Sequence, residues 1–171
     1  LDWWKKKGIK FNKNTFCFIG SLSIAYEFKY LANAIKLLEN KGVDLQFIIC
    51  GTGNNEESIK SSFYDSNSTF FPGWIDSSKA HVLRKNSIAT LIPLINSEDF
   101  TKSIPNKIID SFAYDLPIIT SLDGYLKKLI EDNKCGLFVE NNIESWFKAI
   151  YNIIDSKYLR IKLSKNCKSY A

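Results

Sequence analysis

Glu98-Asp99-Phe100-Thr101-Lys102-Ser103-Ile104-Pro105-Asn106-Lys107-Ile108-Ile109-Asp110-Ser111-Phe112-Ala113-Tyr114-Asp115-Leu116-Pro117-Ile118-Ile119-Thr120 holds a polar loop, a short helix and a buried strand in sequence. Ser103 is placed to cap the helix, Pro105 suits its first turn, and the run from Pro117 is β-branched. On a helix begun there, Ile108, Ile109, Phe112 and Ala113 share one side, while Asn106, Lys107, Asp110 and Tyr114 lie on the other. One face is expected to meet a core and the other a ligand. Free backbone N–H groups and the positive end of the helix dipole at the junction favour a phosphate-sized anion. Asp110 lies too deep in the helix to cap it, and an isolated carboxylate at such a place is most often merely solvated.

Working outward, the same grammar recurs. Phe16-Cys17-Phe18-Ile19 is wholly apolar and closes on Gly20, as does Leu45 to Cys50 on Gly51-Thr52-Gly53. Strands of this kind are buried on both faces. Helical spacing is expected over residues 26–40, where Lys41-Gly42 supplies the stop, and more weakly over 56–64. A short strand at 69–71 leads into Pro72-Gly73, Ser77 or Ser78 caps a helix to Lys85, and 88–92 is a further strand. A helix at 125–131, a strand at 137–139 and helices at 143–154 and 157–167 complete the chain.

Strands alternating with helices, without a solvent-facing period of two, predict an α/β fold: a doubly wound, mainly parallel six-stranded sheet of Rossmann-like type. Ligands on such sheets bind at the carboxyl ends of the strands. Here those ends carry Gly20-Ser21, Gly51-Thr52-Gly53, Gly73-Trp74-Ile75, residues 93–97 and residues 121–124.

With 171 residues the chain suffices for one full core or for half of a two-domain enzyme. Residues 1–15 are expected to be a linker or the end of an interdomain segment, and 16–171 the domain. The net charge of +5 comes from basic residues that look dispersed apart from Lys5-Lys6-Lys7. Dispersal argues against nucleic acid as a partner and suits an anionic substrate or a phospholipid face. The opening Leu1-Asp2-Trp3-Trp4, without Met, suggests that a natural upstream part is absent. Membrane docking through Trp3, Trp4 and the lysine run stays open.

Cys17, Cys50, Cys135 and Cys167 have no C-x-x-C spacing, and buried free thiols in a reducing cytosol explain them better than disulfides or zinc. A cytoplasmic location is therefore expected, with peripheral contact at the inner face of the membrane left open. His81 is the one histidine, so a histidine metal site or a Ser-His-Asp triad is poorly supported, and a solvent-facing helical role fits it better. No stretch approaches the roughly 18 to 20 apolar residues that cross a bilayer. Gly51-Thr52-Gly53 lacks the third glycine of a dinucleotide fingerprint, no P-loop occurs, and the strand ending at Ile19 carries no acid of a phosphoacceptor domain. The carboxylates form no compact metal-ligand spacing.

Taken in order, Phe-Ile-Gly-Ser-Leu, Phe-Ile-Ile-Cys-Gly-Thr-Gly, Phe-Phe-Pro-Gly-Trp-Ile, Ser-Ile-Pro-Asn-Lys-Ile-Ile-Asp-Ser-Phe-Ala-Tyr-Asp-Leu-Pro-Ile-Ile-Thr and Cys-Gly-Leu-Phe-Val-Glu resemble the C-terminal, donor-binding half of GT-B glycosyltransferases. The resemblance is to the group 1 (family 4) retaining enzymes, notably those of bacterial capsule and O-antigen synthesis. It spans residues 16–166. It implies transfer of a hexose or N-acetylamino sugar from a UDP-type sugar nucleotide to a lipid-linked or oligosaccharide acceptor. It also implies an N-terminal GT-B domain as partner, no metal, and no cofactor beyond the nucleotide-sugar donor. A sugar-nucleotide epimerase and a non-catalytic GT-B-like subunit are the alternatives.

By the same resemblance Gly20, Ser21, Ser103, Ile104, Asn106 and Lys107 surround the donor diphosphate, and Asp110 binds the ribose. Gly51, Gly53, Trp74 and Ile75 face the base. The family's E-x7-E pair falls on Lys102 and Asp110, so the first glutamate is absent and the second shortened; Lys102 is thereby set beside the transferred sugar. The Arg and Lys common after the first strand are replaced by Ser21 and residues 24–26, which leaves Lys102 or Lys107 to supply the positive charge. No catalytic base is identifiable.

Overall fold

A computed structural model describes residues 1–170. After the short helix α1 (Asp2–Lys6), strands and helices alternate: β1 (Asn14–Ile19), α2 (Lys29–Asn40), β2 (Leu45–Cys50), α3 (Glu56–Ser62), β3 (Thr69–Gly73), α4 (Ser77–Lys85) and β4 (Ala89–Ile92). Then come α5 (Glu98–Thr101), α6 (Asn106–Phe112), β5 (Ile118–Thr120), α7 (Tyr125–Asn133), β6 (Gly136–Phe138), α8 (Ile143–Asp155) and α9 (Lys157–Tyr170). The strands form one six-stranded sheet in the order β3-β2-β1-β4-β5-β6, with every pairing parallel. The parallel, doubly wound expectation holds for a simple reason. β1, β2 and β4 are buried at nearly every position and need cover on both sides, which crossover helices supply.

One face packs Phe16, Phe18, Phe47 and Ile49 under α2 and α8. The other is divided, with Trp4, Ile9, Cys17 and Leu83 on one side and Ile108, Phe112, Leu126 and Ile130 on the other. Each such fully buried side chain contributes about 1.5–3 kcal/mol of transfer free energy. Residues 1–15 do not hang free, since Trp4 and Ile9 are buried against the second face. Trp4 is therefore withdrawn from any membrane contact, and Trp3 lies beneath the amines of Lys7 and Lys79.

Several local expectations are corrected. Residues 26–28 precede α2 instead of opening it, because Tyr26 pairs antiparallel with Leu94. Asp76, not Ser77 or Ser78, caps α4, accepting from the Lys79 amide at 2.9 Å. The polar loop before α6 contains a helix of its own, α5, which Ser97 caps. Ser103 caps nothing; its hydroxyl donates to the Phe100 carbonyl at 3.4 Å, and Pro105 stands at the N-cap of α6. Ile109 is 62% exposed, and the buried side of α6 runs through Ile108, Ser111 and Phe112. The hydroxyl of Ser111 lies 2.9 Å from that of Thr90 on β4, so a polar residue took a place that periodicity assigned to isoleucine.

The charge is not dispersed either. α9 carries Lys157, Arg160, Lys162, Lys165 and Lys168 and no acidic residue, which equals the net charge of +5 and leaves 18 basic against 18 acidic residues elsewhere.

Candidate functional site

β1 and β4 are neighbours, but the chain leaves β1 toward β2 and β3 and returns to β4 on its other side. The loops leaving the two strands diverge there, which opens a crevice at the carboxyl ends. Two lacings hold its walls. On one side the Leu22 amide donates to the Thr52 carbonyl and the Asn55 amide to the Leu22 carbonyl, each at 2.9 Å. On the other, Glu27 and Ile95 amides donate to the Pro93 and Ala25 carbonyls, again at 2.9 Å.

The first lacing explains both glycines of Gly51-Thr52-Gly53. Gly51 has φ +136°, and a Cβ there would stand 1.8 Å from the Gly20 carbonyl oxygen; at Gly53 it would stand 2.3 Å from that of Leu22. Backbone contact this close admits no side chain. The depression so formed, of about 320 Å³, is lined by Ile19, Gly20, Ser21, Gly51, Trp74 and Ile75 among others. Gly20, Ser21, Gly51, Trp74 and Ile75 are thus brought together, with Trp74 70% exposed, while Gly53 supports the loop from behind.

α6 brings a cation to the same place. A Cβ on residue 20 would lie 2.5 Å from the Lys107 Nζ, so the amine sits directly over Gly20. It donates to the Tyr26 hydroxyl and lies 4.6 Å from the centre of the Tyr26 ring and 4.8 Å from that of Phe18. No carboxylate lies within 4 Å of it among the described residues. Burial lowers the Lys107 pKa to about 8, partly opposed by the charge of Asp110. The Tyr26 phenol is pushed up to about 12 by its own burial and stays neutral. Beneath the lysine, Ser111 donates to the Lys107 carbonyl at 2.9 Å and meets Thr90, which fastens α6 to β4. The structure thus holds a desolvated ammonium against two aromatic faces, ready for an anion that brings its own charge.

Asp110 is two-fifths covered and receives a hydrogen bond from Arg84 on α4, Nη2 to Oδ2 at 3.2 Å. Arg84 also stacks on Tyr114, whose hydroxyl lies 3.0 Å from His81 Nδ1, so His81 is an exposed helical residue as expected. The remaining candidates scatter. Lys102 is exposed and reaches back to Glu98, Asn106 and Ser103 are exposed, and Ile104 turns the opposite way from Lys107 into an apolar cleft with Ile108, Ile109 and Phe112. Sequence reasoning missed Tyr26 and Arg84. A helix expected from residue 26 hid the first, and a lone arginine at the end of a short helix offers no signal until folding places it beside Asp110.

All four cysteines are free and buried. Among the described residues no group of three His, Cys, Asp or Glu side chains is placed to hold a metal ion, and no helix is long and apolar enough to cross a membrane.

A fully parallel, doubly wound sheet with a crevice at its reversal of strand order defines a Rossmann-like α/β class of domain. The family model for glycosyl transferases group 1 matches residues 2–171, and the chain belongs to that family. Among curated proteins it is 26% identical over 167 residues to an uncharacterised glycosyltransferase of Haemophilus influenzae, covering 94% of this chain and 45% of the relative. The chain therefore spans less than half the length of that relative. Among solved structures it is similar to Anabaena HepE in complex with UDP, with a TM-score of 0.78, 12% identity, and coverage of 99% of this chain and 46% of that one. It is also similar to a variant of S. aureus TarM in complex with Fondaparinux, alpha-GlcNAc-glycerol and UDP, with a TM-score of 0.74, 16% identity, and coverage of 92% and 31%. At these identities the structures speak for the shared GT-B fold.

Proposed function

We propose that this chain is the donor-binding half of a retaining glycosyltransferase that moves a hexose or N-acetylamino sugar from a UDP-type nucleotide to a lipid-linked or oligosaccharide acceptor in surface polysaccharide synthesis. The observation that carries the reading is the Lys107 ammonium, held over Gly20 with no carboxylate within 4 Å among the described residues. Loss of a sugar from a nucleotide donor leaves charge on the diphosphate. A fixed, poorly hydrated cation at that oxygen stabilises the transition state more than the ground state. The UDP in the HepE and TarM structures supports the choice of nucleotide.

In this reading the diphosphate lies between Gly20, Ser21 and Lys107, the ribose reaches Asp110, and the base enters the depression below Trp74. Ser103, Ile104 and Asn106 border the diphosphate, and Lys102 stands toward the sugar. The acceptor and the rest of the cleft belong to an N-terminal domain, and no metal is needed because the protein supplies the positive charge. One observation favours a non-catalytic subunit instead: Lys102, where the family's first glutamate falls, is exposed and paired to Glu98. Donor hydrolysis by the full-length protein decides between the two. UDP titration in the presence of EDTA tests the site itself, and binding that appears only on adding Mg²⁺ would overturn the metal-free reading.

A further inference from the structure

α9 packs inward through Leu163 and Cys167. Its outward face repeats Tyr158, Ile161, Lys162, Lys165 and Lys168 at helical spacing, all of them exposed. Tyr158 is 75% and Ile161 57% exposed. None of Lys157, Lys162, Lys165 or Lys168 has a carboxylate within 4 Å among the described residues. Elsewhere nine of the seventeen lysines have such a partner among the described residues, eight of them three or four residues away in the chain.

The inner flank of the same helix borders a concavity of about 1090 Å³, which runs beside Ser87-Ile88 before β4 and Leu116-Pro117 before β5. It therefore lies at the amino edge of the sheet, away from the crevice at Gly20. Lys85, Arg160, Lys165 and Lys168 line it, with Arg84 already paired to Asp110, against one acidic residue in the lining, Asp115. The result is a predominantly cationic band along α9, with Tyr158 and Ile161 exposed beside the lysines.

We propose that this band is a docking surface for the anionic phospholipid headgroups of a membrane. Unpaired lysines on flexible stems gain from a fluid layer of negative charge without needing a matched shape. Tyr158 and Ile161 fit the boundary between headgroups and acyl chains, as exposed apolar residues beside lysines do on interfacial helices. Docking there leaves the carboxyl ends of the strands uncovered. The inference does not depend on the donor reading.

The test is co-sedimentation of the whole chain with vesicles of phosphatidylcholine alone and of phosphatidylcholine mixed with phosphatidylglycerol, at low and at high salt. Binding is expected only to the mixed vesicles and fades as salt rises. Each lysine near such a surface contributes about fivefold. Reversing Lys162, Lys165 and Lys168 together to Glu should weaken partition on the order of a hundredfold or more, with an unchanged melt because the three are exposed and unpaired. The same reversal of Lys5, Lys6 and Lys7 should change it far less. Equal binding to neutral vesicles, an unaffected α9 variant, or retention on heparin without vesicle binding would each overturn the assignment.

Discussion

Arg84 Nη2 stands 3.2 Å from Asp110 Oδ2 and joins the end of α4 to the middle of α6 across the β1–β4 junction. The carboxylate is more than half exposed and the guanidinium largely covered, so the pair orients Asp110 more than it stabilises the fold. Asp110→Ala is expected to weaken UDP binding by about 1.5–3 kcal/mol, roughly ten- to hundredfold, if it bonds the ribose hydroxyls. Stability should fall by no more than about 1 kcal/mol. Arg84→Ala should do the reverse, costing more stability through its lost stacking on Tyr114 and only a few-fold in UDP affinity. Calorimetric titration with parallel thermal melts of both variants checks the pair. Unchanged UDP affinity in Asp110→Ala would show the carboxylate to be structural.

Lys107 predicts a pH dependence of opposite sign for binding and for stability. Its folded pKa, about 8, lies below the value of an unfolded lysine, so between the two the unfolded chain holds more protons. Stability should therefore rise as pH climbs from about 8 toward about 10.5, by about 3 kcal/mol at most. UDP affinity should fall over the same rise, because the ammonium is lost. Lys107→Met should flatten both trends and lower affinity at neutral pH by about 1.5–3 kcal/mol. Denaturant melts and UDP titrations across that range decide it, and an unaltered pH profile in Lys107→Met would place the responsible group elsewhere.

Gly51→Ala should be among the costliest single-methyl additions in the chain, since its Cβ meets the Gly20 carbonyl at 1.8 Å and its φ is +136°. A loss above about 2 kcal/mol is expected, together with loss of UDP binding as the β1 loop shifts. Gly42→Ala is the control: φ is +73°, nothing stands within 4 Å, and the cost should be about 1 kcal/mol. Urea melts of the two variants measure the difference, and equal costs would show that the close approach is not maintained in solution.

Trp74→Ala should leave the melt within about 0.5 kcal/mol of the parent, because its ring is mostly in solvent. UDP affinity should drop by about 1–3 kcal/mol, the range for an aromatic platform under a base. Indole fluorescence that responds to UDP in the parent and not in Trp74→Ala would support the placement; a response retained in full would refute it.

The residues by themselves determined the parallel sheet. Apolar runs at β1 and β2, each ending on glycine, leave no side free for solvent, and that local requirement survives any detail of packing. They also determined the row of strand ends from Gly20 to Ile75, because a doubly wound sheet puts its loops there whatever they contain. The all-cationic composition of α9 was equally open to reading, and counting charge over the whole chain hid it. Tertiary structure alone decided which polar groups meet. Ser111 displaced Ile109 from the core of α6 because a buried hydroxyl could pair with Thr90, a gain no helical period records. Lys107 became a desolvated cation only when the strap between residues 25–27 and 93–95 set Tyr26 beneath its amine, 81 positions away in the chain. Periodicity reports what a segment must hide, whereas the charge and hydrogen bonding of a site depend on partners that folding brings from elsewhere.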